Sequence, residues 1–206
     1  ACQIIWRACF AEREPMNKVI IVGGGAAGML ASVIAARNGC EVLLFEKNEK
    51  LGKKVYITGK GRCNVTNNCD PEELLQAVMS NPKFLYSAFY SFTSQDMMQL
   101  LEDAGVPLKT ERGNRVFPVS DHSSDIIHGL ERLMKKYRVQ IHLRSEVKNL
   151  LTENGIVTGI QLTDNKVYTA DAVIVATGGL SYPTTGSTGD GYRFAAETGH
   201  TVTECM

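Results

Sequence analysis

The sequence predicts an α/β fold: a central parallel sheet with helices on one face and a small antiparallel β element on the other. Three runs of residues predict it. Lys18-Val19-Ile20-Ile21-Val22 leads directly into Gly23-x-Gly25-x-x-Gly28; the next apolar run, Val42-Leu43-Leu44-Phe45, closes on the acid Glu46; and Asp171-Ala172-Val173-Ile174-Val175 ends in Ala176-Thr177-Gly178-Gly179. A strand, a tight glycine turn, a helix and an acid-ended strand make a Rossmann-like dinucleotide-binding unit. Gly23 permits the turn, Gly25 lets backbone approach a pyrophosphate, and Gly28 lets helix and strand pack closely. The phosphates then face the helix N-terminus, where free N–H groups and the helix dipole attract negative charge. Glu46, eighteen residues beyond Gly28, is placed to accept hydrogen bonds from a ribose diol.

The helix after the fingerprint is predicted over 25–38, with Gly39 as its stop. Beyond Glu46, residues 51–64 are rich in Gly and Lys and are predicted to form a functional loop without regular structure. Residues 71–79, 82–92 and 94–104 read as helices, the first and third with acids in their opening turns. Residues 113–118 form a short turn and strand, and Ser120 or Asp121 caps a helix running to about Tyr137, whose Ile126, Ile127, Leu130, Leu133, Met134 and Tyr137 make one core stripe. Residues 139–144 alternate as a third parallel strand. Residues 155–162 and 166–170 are short strands joined at Thr163-Asp164-Asn165. The continuous apolar run 171–175 suits a strand buried on both faces, and its glycine turn lies at the sheet edge where α/β proteins bind ligands. A last helix covers 192–197.

Composition narrows the function. Twenty-two basic and twenty-two acidic residues cancel, which removes a global field for nucleic acid or anionic membrane. Lys47, Lys50, Lys53, Lys54, Lys60 and Arg62 cluster after Glu46, as a solvated loop or a phosphate-facing segment. Cys2, Cys9, Cys40, Cys63, Cys69 and Cys205 form no CxxC pair and have no His at ligand spacing, against a zinc site and for reduced thiols in the cytoplasm. Residues 19–36 are uncharged but contain the fingerprint glycines, and are not a membrane span. Residues 1–15 lack the apolar region of a signal peptide; Met16 is the expected natural start and 1–15 an upstream extension. His122, His128, His142 and His200 each read as structural, so no catalytic acid is assigned.

Leu51-Gly52-Lys53-Lys54, Thr58-Gly59-Lys60-Gly61-Arg62-Cys63-Asn64-Val65-Thr66-Asn67, Arg115-Val116-Phe117-Pro118 and Gly186-Ser187-Thr188-Gly189-Asp190-Gly191 resemble the BaiN/RdsA-type NAD(P)/FAD-dependent oxidoreductases, over essentially 16–206. The resemblance implies noncovalent FAD, with NAD(P)H as electron donor. It places Gly23, Gly25, Ala26, Ala27 and Gly28 at the pyrophosphate, Glu46 at the adenosine ribose, Lys47 and Lys53 near ribose and phosphates, and Arg62, Cys63 and Asn64 near the ribityl chain and flavin. It puts the Val147 backbone against adenine and Ala176, Thr177, Gly178 and Gly179 behind the cofactor. Asp190 is either a cofactor contact or an ordinary helix cap. Cys63 is a packed or flavin-side thiol, or half of a redox disulfide with Cys69.

The resemblance also implies that 16–206 is the first, FAD-binding domain of a longer enzyme, lacking a substrate domain and a closing segment over the flavin ring, with apolar surface left for self-association. The expected reaction is hydride transfer between NAD(P)H and a small organic acceptor through the flavin, without nucleic acid or membrane as partner. Three alternatives stay open: an NAD-dependent dehydrogenase, a cofactor-binding fragment without turnover, and an FAD-dependent tRNA-modifying protein, the last disfavoured by neutral charge.

Overall fold

A computed structural model describes residues 17–204, so the extension over 1–15, the start at Met16, and Cys2, Cys9 and Cys205 lie outside the described residues. The chain begins with β1 (Lys18–Val22), α1 (Ala26–Arg37) and β2 (Glu41–Phe45). Its middle gives α2 (Lys53–Ile57), a 3-10 turn (Thr58–Gly61), β3 (Thr66–Asn67), α3 (Pro71–Gln76), a second 3-10 turn (Pro82–Leu85), α4 (Tyr86–Ser91), α5 (Ser94–Asp103), β4 (Leu108–Glu111) and β5 (Arg115–Pro118). Then come α6 (Ser123–Lys136), β6 (Gln140–His142), β7 (Val147–Glu153), β8 (Ile156–Leu162), β9 (Val167–Thr169), β10 (Ala172–Val175), a third 3-10 turn (Pro183–Thr185) and α7 (Asp190–Glu197). Two compact units result, one from residues up to Lys54 and from Leu133 onward, the other Val55–Arg132.

The first unit is a parallel sheet in the order β10-β1-β2-β6, with Val19 opposite both Ala172 and Val42. Side chains alternate across a strand, so β1 and β2 feed two layers. Ile20, Val22, Leu43 and Phe45 join Val173, Val147, Ile160, Leu162 and Phe194 in one core cluster, covered by the antiparallel β7-β8-β9 meander and α7. On the other alternation Val19, Ile21, Val42 and Leu44 are buried, as are Met29 and Val33 of α1, which packs on β1, β2 and β10. Each large side chain so buried is worth about 1.5–3 kcal/mol. Helix α1 ends where Gly39 takes φ +90° and its N–H reaches the Ala36 carbonyl, the left-handed stop that a residue with a Cβ resists.

The second unit holds the antiparallel sheet β3-β5-β4 and helices of which α3 and α5 begin with side-chain caps. Asp70 accepts from the Glu73 N–H at 2.9 Å, and Thr93 and Asp96 form a reciprocal capping box at the start of α5. Leu100, Leu101, Val106, Val116, Phe117, Ile126, Ile127 and Leu130 are among its buried apolar residues. Four charges bind this unit's loops: Arg62 Nη2 donates to Glu111 Oε1 and Asp121 Oδ1 at 2.5 Å each, and Lys109 Nζ reaches Asp121 Oδ2 at 2.7 Å. The Arg62 guanidinium also lies 4.2 Å above the centre of the Phe117 ring.

Several expected elements differ. The 51–64 loop contains one α-helical turn, α2, and a 3-10 turn in which Gly59 and Lys60 are both left-handed, at φ 57° and 59°. The helix expected over 82–92 is broken into a 3-10 turn and α4. Strand β4 was not expected, its four residues being too short for alternation to show. Nor was β7, although Asn154-Gly155 marks it: these residues take φ 51° and 77° between Glu153 and Ile156, the two-residue turn that Asn-Gly favours. Neither Ser120 nor Asp121 caps α6; Ser120 accepts from the His122 N–H at 3.2 Å, and Asp121, at φ 60°, turns its carboxylate to Arg62 and Lys109. Strand β10 is not buried on both faces. Among the described residues it is the edge of its sheet, and only Val173 of its four residues is buried.

His142 on β6 stacks on Phe45, with ring centroids 4.6 Å apart and planes 8° apart, and Tyr168 lies 5.6 Å away. Its Nε2 is buried without a hydrogen-bond partner among the described residues, and burial lowers its pKa below the ordinary 6.5. The folded state therefore disfavours the imidazolium. Stability from the neutral ring is complete above the unfolded-state value near 6.5 and falls as pH drops below it towards the folded-state value. Thermal melts between pH 7.5 and pH 5.5 should show a falling Tm, and His142→Phe, which keeps the stack and cannot be protonated, should flatten that slope. An unchanged slope in the variant would remove His142 as its source. The lowered carboxylates Asp121, Glu111 and Asp190 lose their contributions only in more acidic solution.

Candidate functional site

The fingerprint glycines divide by what surrounds them. Gly23 has φ +107°, and a Cβ there would stand 2.5 Å from the Ala176 carbonyl oxygen, while a Cβ on Gly28 would overlap the Gly23 carbonyl oxygen. These two are needed for packing. At Gly25 a Cβ would meet nothing within 4 Å. Gly25 is the N-cap of α1; no side chain caps that helix, no acid occupies its first turn, and Ala26 and Ala27 are exposed. An open, positive end of a 12-residue helix beside a glycine with free space is what a pyrophosphate requires. The residues present therefore fit the expected dinucleotide.

Glu46 is buried at the carboxyl end of β2 and is fully engaged from one side. Its Oε2 accepts the Gly24 N–H at 2.6 Å, and its Oε1 accepts the backbone N–H and the Nδ2 of Asn48, each at 2.7 Å. Gly24 and Asn48 are the residues that sequence reasoning missed. Asn48 Nδ2 also donates to the Thr185 carbonyl at 3.2 Å, and Lys53 Nζ, paired with Glu49 at 3.0 Å, donates to Asn48 Oδ1 at 3.1 Å. The Ser145 N–H donates to the Glu46 carbonyl at 2.9 Å, which brings the start of β7 alongside; the Val147 side chain itself lies in the core cluster.

Lys47 and Asp190 are brought together as an ion pair at 2.7 Å, with Thr188 Oγ1 2.7 Å from the same ammonium. Burial raises the Asp190 pKa, but the Lys47 and Thr188 bonds outweigh it and hold the carboxyl below its ordinary range. Asp190 is the first residue of α7, not its cap; Gly189 is the cap. Behind the fingerprint, the Ala176 N–H donates to the Val22 carbonyl at 2.8 Å, and Thr177 Oγ1 is buried without a partner among the described residues. A Cβ on Gly191 would come 2.9 Å from that hydroxyl, and one on Gly178 would come 2.8 Å from Ser187 Oγ. The 176–179 turn and the 186–191 segment thus meet at glycines. Gly23, Gly25, Ala26, Ala27, Gly28, Glu46, Lys47, Lys53, Val147, Ala176, Thr177, Gly178, Gly179 and Asp190 all belong to this one unit.

Arg62, Cys63 and Asn64 belong to the unit Val55–Arg132. Arg62 is committed to Glu111 and Asp121, which raise its pKa further. Cys63 is a buried free thiol at φ 60°, and burial pushes it up to about 11, so it is a protonated, unreactive thiol at neutral pH. Cys69 is free as well. Asn64, with its amide nitrogen turned inward, donates to the carbonyls of Thr66 and Val116 at 3.1 and 3.2 Å. Among the described residues no group of His, Cys, Asp and Glu is arranged to hold a metal ion.

Residues 17–205 match the HI0933-like protein Rossmann domain. The 3-dehydro-bile acid delta(4,6)-reductase of Clostridium scindens is 33% identical over 190 residues, which are 91% of this chain and 45% of that protein. The ribosomal RNA dihydrouridine synthase of Escherichia coli is 35% identical over 185 residues, 89% of this chain and 44% of that protein. The chain spans a little under half the length of these curated relatives. In fold it is similar to a flavocytochrome c3 fumarate reductase in its open conformation (TM-score 0.68, 24% identity, 91% of this chain and 41% of that one). It is likewise similar to the 3-ketosteroid delta1-dehydrogenase of Sterolibacterium denitrificans (TM-score 0.68, 18% identity, 89% and 55%). The glycine turns, the acid after β2 and a family match over every described residue agree: the chain belongs to the HI0933-like Rossmann-domain family, a flavoprotein oxidoreductase group.

Proposed function

We propose that this chain holds FAD without a covalent link and serves a flavin-dependent oxidoreductase, in which a hydride passes from NAD(P)H to a small organic acceptor through the flavin. The observation that carries the reading is the open N-terminus of α1 at Gly25, set between the tightly packed Gly23 and Gly28 and next to the buried Glu46 carboxylate. FAD supplies the hydride chemistry when bound; the protein supplies position and electrostatics. The first-turn N–H groups of α1 bind the pyrophosphate, Glu46 takes a ribose hydroxyl, and Lys47, Lys53 and Asp190 set the charge around the cofactor. The name of the Clostridium scindens relative, a reductase, supports reductive chemistry. Cys63 and Cys69, both free thiols, suit a reducing cytoplasm. Among the described residues no helix is long and apolar enough to cross a membrane.

Purified protein should be yellow, and the supernatant after denaturation should contain intact FAD. Recovery of NAD alone, or flavin that stays with the precipitate, would sink the assignment.

The glycines supply a sharper test. Gly25→Val places a branched side chain in the open space, so FAD retention should collapse while the melting temperature of the flavin-free protein stays near that of the parent. Gly28→Val drives a side chain into the Gly23 carbonyl and should lower the melting temperature itself. Equal effects of the two substitutions on folding would contradict the division between packing and ligand glycines.

Glu46→Gln keeps the shape but loses a charge-assisted acceptor, and should weaken FAD binding by about 1.5–3 kcal/mol. Flavin titration that finds parental affinity would place the ribose elsewhere.

A further inference from the structure

Glu46 has less free capacity than its position suggests. A carboxylate offers about four lone-pair positions, two on each oxygen. Asn48 fills both on Oε1, through its backbone N–H and its Nδ2 at 2.7 Å each, and the Gly24 N–H fills one on Oε2 at 2.6 Å. One acceptor position is left, on Oε2. The same Asn48 amide reaches the Thr185 carbonyl at 3.2 Å, its oxygen receives Lys53 Nζ at 3.1 Å, and its carbonyl receives the Arg144 N–H at 2.9 Å. Gly186 is next to it, so close that a Cβ there would stand 2.7 Å from Asn48 Nδ2. Asn48 is therefore held on four sides and ties two separate segments, the exit of β2 and the 185–186 turn.

We propose that Asn48 is a positioning residue of the dinucleotide site. It locks the Glu46 carboxylate so that one hydroxyl of the adenosine ribose is read and the other is not, and it fixes the turn that leads into Ser187 and Asp190 to that carboxylate. The inference rests on the FAD reading above and refines it: a carboxylate free to rotate would serve both hydroxyls of a diol, whereas this one serves a single hydroxyl. Removal of the Asn48 side chain frees a lone pair on Oε1 and releases the Thr185 carbonyl, while the backbone N–H groups of Asn48 and Gly24 still hold the carboxylate, so that each of its oxygens then has one open acceptor position.

The test is fluorescence titration of the flavin-free chain with FAD and with its adenosine 2′-deoxy and 3′-deoxy analogues, for the parent and for Asn48→Ala. In the parent one analogue should bind about tenfold or more weaker than FAD, the loss of one hydrogen bond to a charged group, and the other should bind within about threefold. In Asn48→Ala the two analogues should become alike, because each oxygen of the carboxylate then has an open acceptor position and no longer distinguishes the two hydroxyls. A purely structural role for Asn48 would lower all three affinities in parallel and leave the discrimination intact, which overturns the proposal. So does a parent that loses equal affinity with either analogue, a result that needs no variant to fold. Failure of the parent to bind FAD at all would instead overturn the cofactor reading, and the proposal with it; parental FAD binding with unchanged discrimination in Asn48→Ala overturns the proposal alone.

Discussion

The ligand edge of this protein depends on how closely backbone approaches backbone at Gly23. Two neighbours press on that residue at once: the carbonyl of Ala176 from the end of β10, and Gly28 of α1, which lies against the Gly23 carbonyl. No side chain fits in either gap. Because both contacts are made by main chain, the carboxyl ends of β10 and β1 and the first turn of α1 hold fixed relative positions, and the remaining freedom is confined to the space around Gly25. Packing and recognition are thereby separated by two residues of sequence: rigidity at Gly23, vacancy at Gly25.

On that frame the segment Glu46-Lys47-Asn48 acts as a three-pronged clamp. Glu46 reaches back to the fingerprint at Gly24, Lys47 reaches Thr188 and Asp190, and Asn48 reaches Thr185. Two of the prongs connect the exit of β2 with the segment that follows β10, and β1 lies between those two strands in the sheet. The Lys47–Asp190 pair is partly screened, and pairs of that kind contribute little to stability on their own. Its value lies in placement, since it gathers two charges of opposite sign at the edge where α/β sheets receive their ligands.

The sequence made the frame of the sheet legible because each of its signals was local. Apolar runs mark β1, β2 and β10, glycines mark their exits, and Glu46 follows β2 directly. What it hid falls into two kinds. Strand β4 and the one-turn helix α2 are too short for periodicity to show, whereas β7 was overlooked despite the Asn154-Gly155 turn that closes its hairpin with β8. The other kind is tertiary: that Asn48, an ordinary polar residue in a charged loop, bonds with Thr185, that Asp190 pairs with Lys47, and that Arg62 is taken up by Glu111 and Asp121. Partners 49 to 143 residues apart leave no trace in spacing. Only the residue types, charged or amide side chains close behind an acid-ended strand, hinted at them.

The pairing of β1 with β10 has a consequence for how the protein is made. Val19 finds its partner Ala172 only after a further 153 residues have been synthesised. At the usual pace of about 5–20 residues per second, that interval is roughly 8–30 s. During it β1, whose residues from Val19 to Val22 are all buried in the finished fold, has at most β2 beside it and keeps one apolar edge open. A ribosome-bound nascent chain of this protein thus keeps the β10-facing edge of β1 unpaired throughout that window.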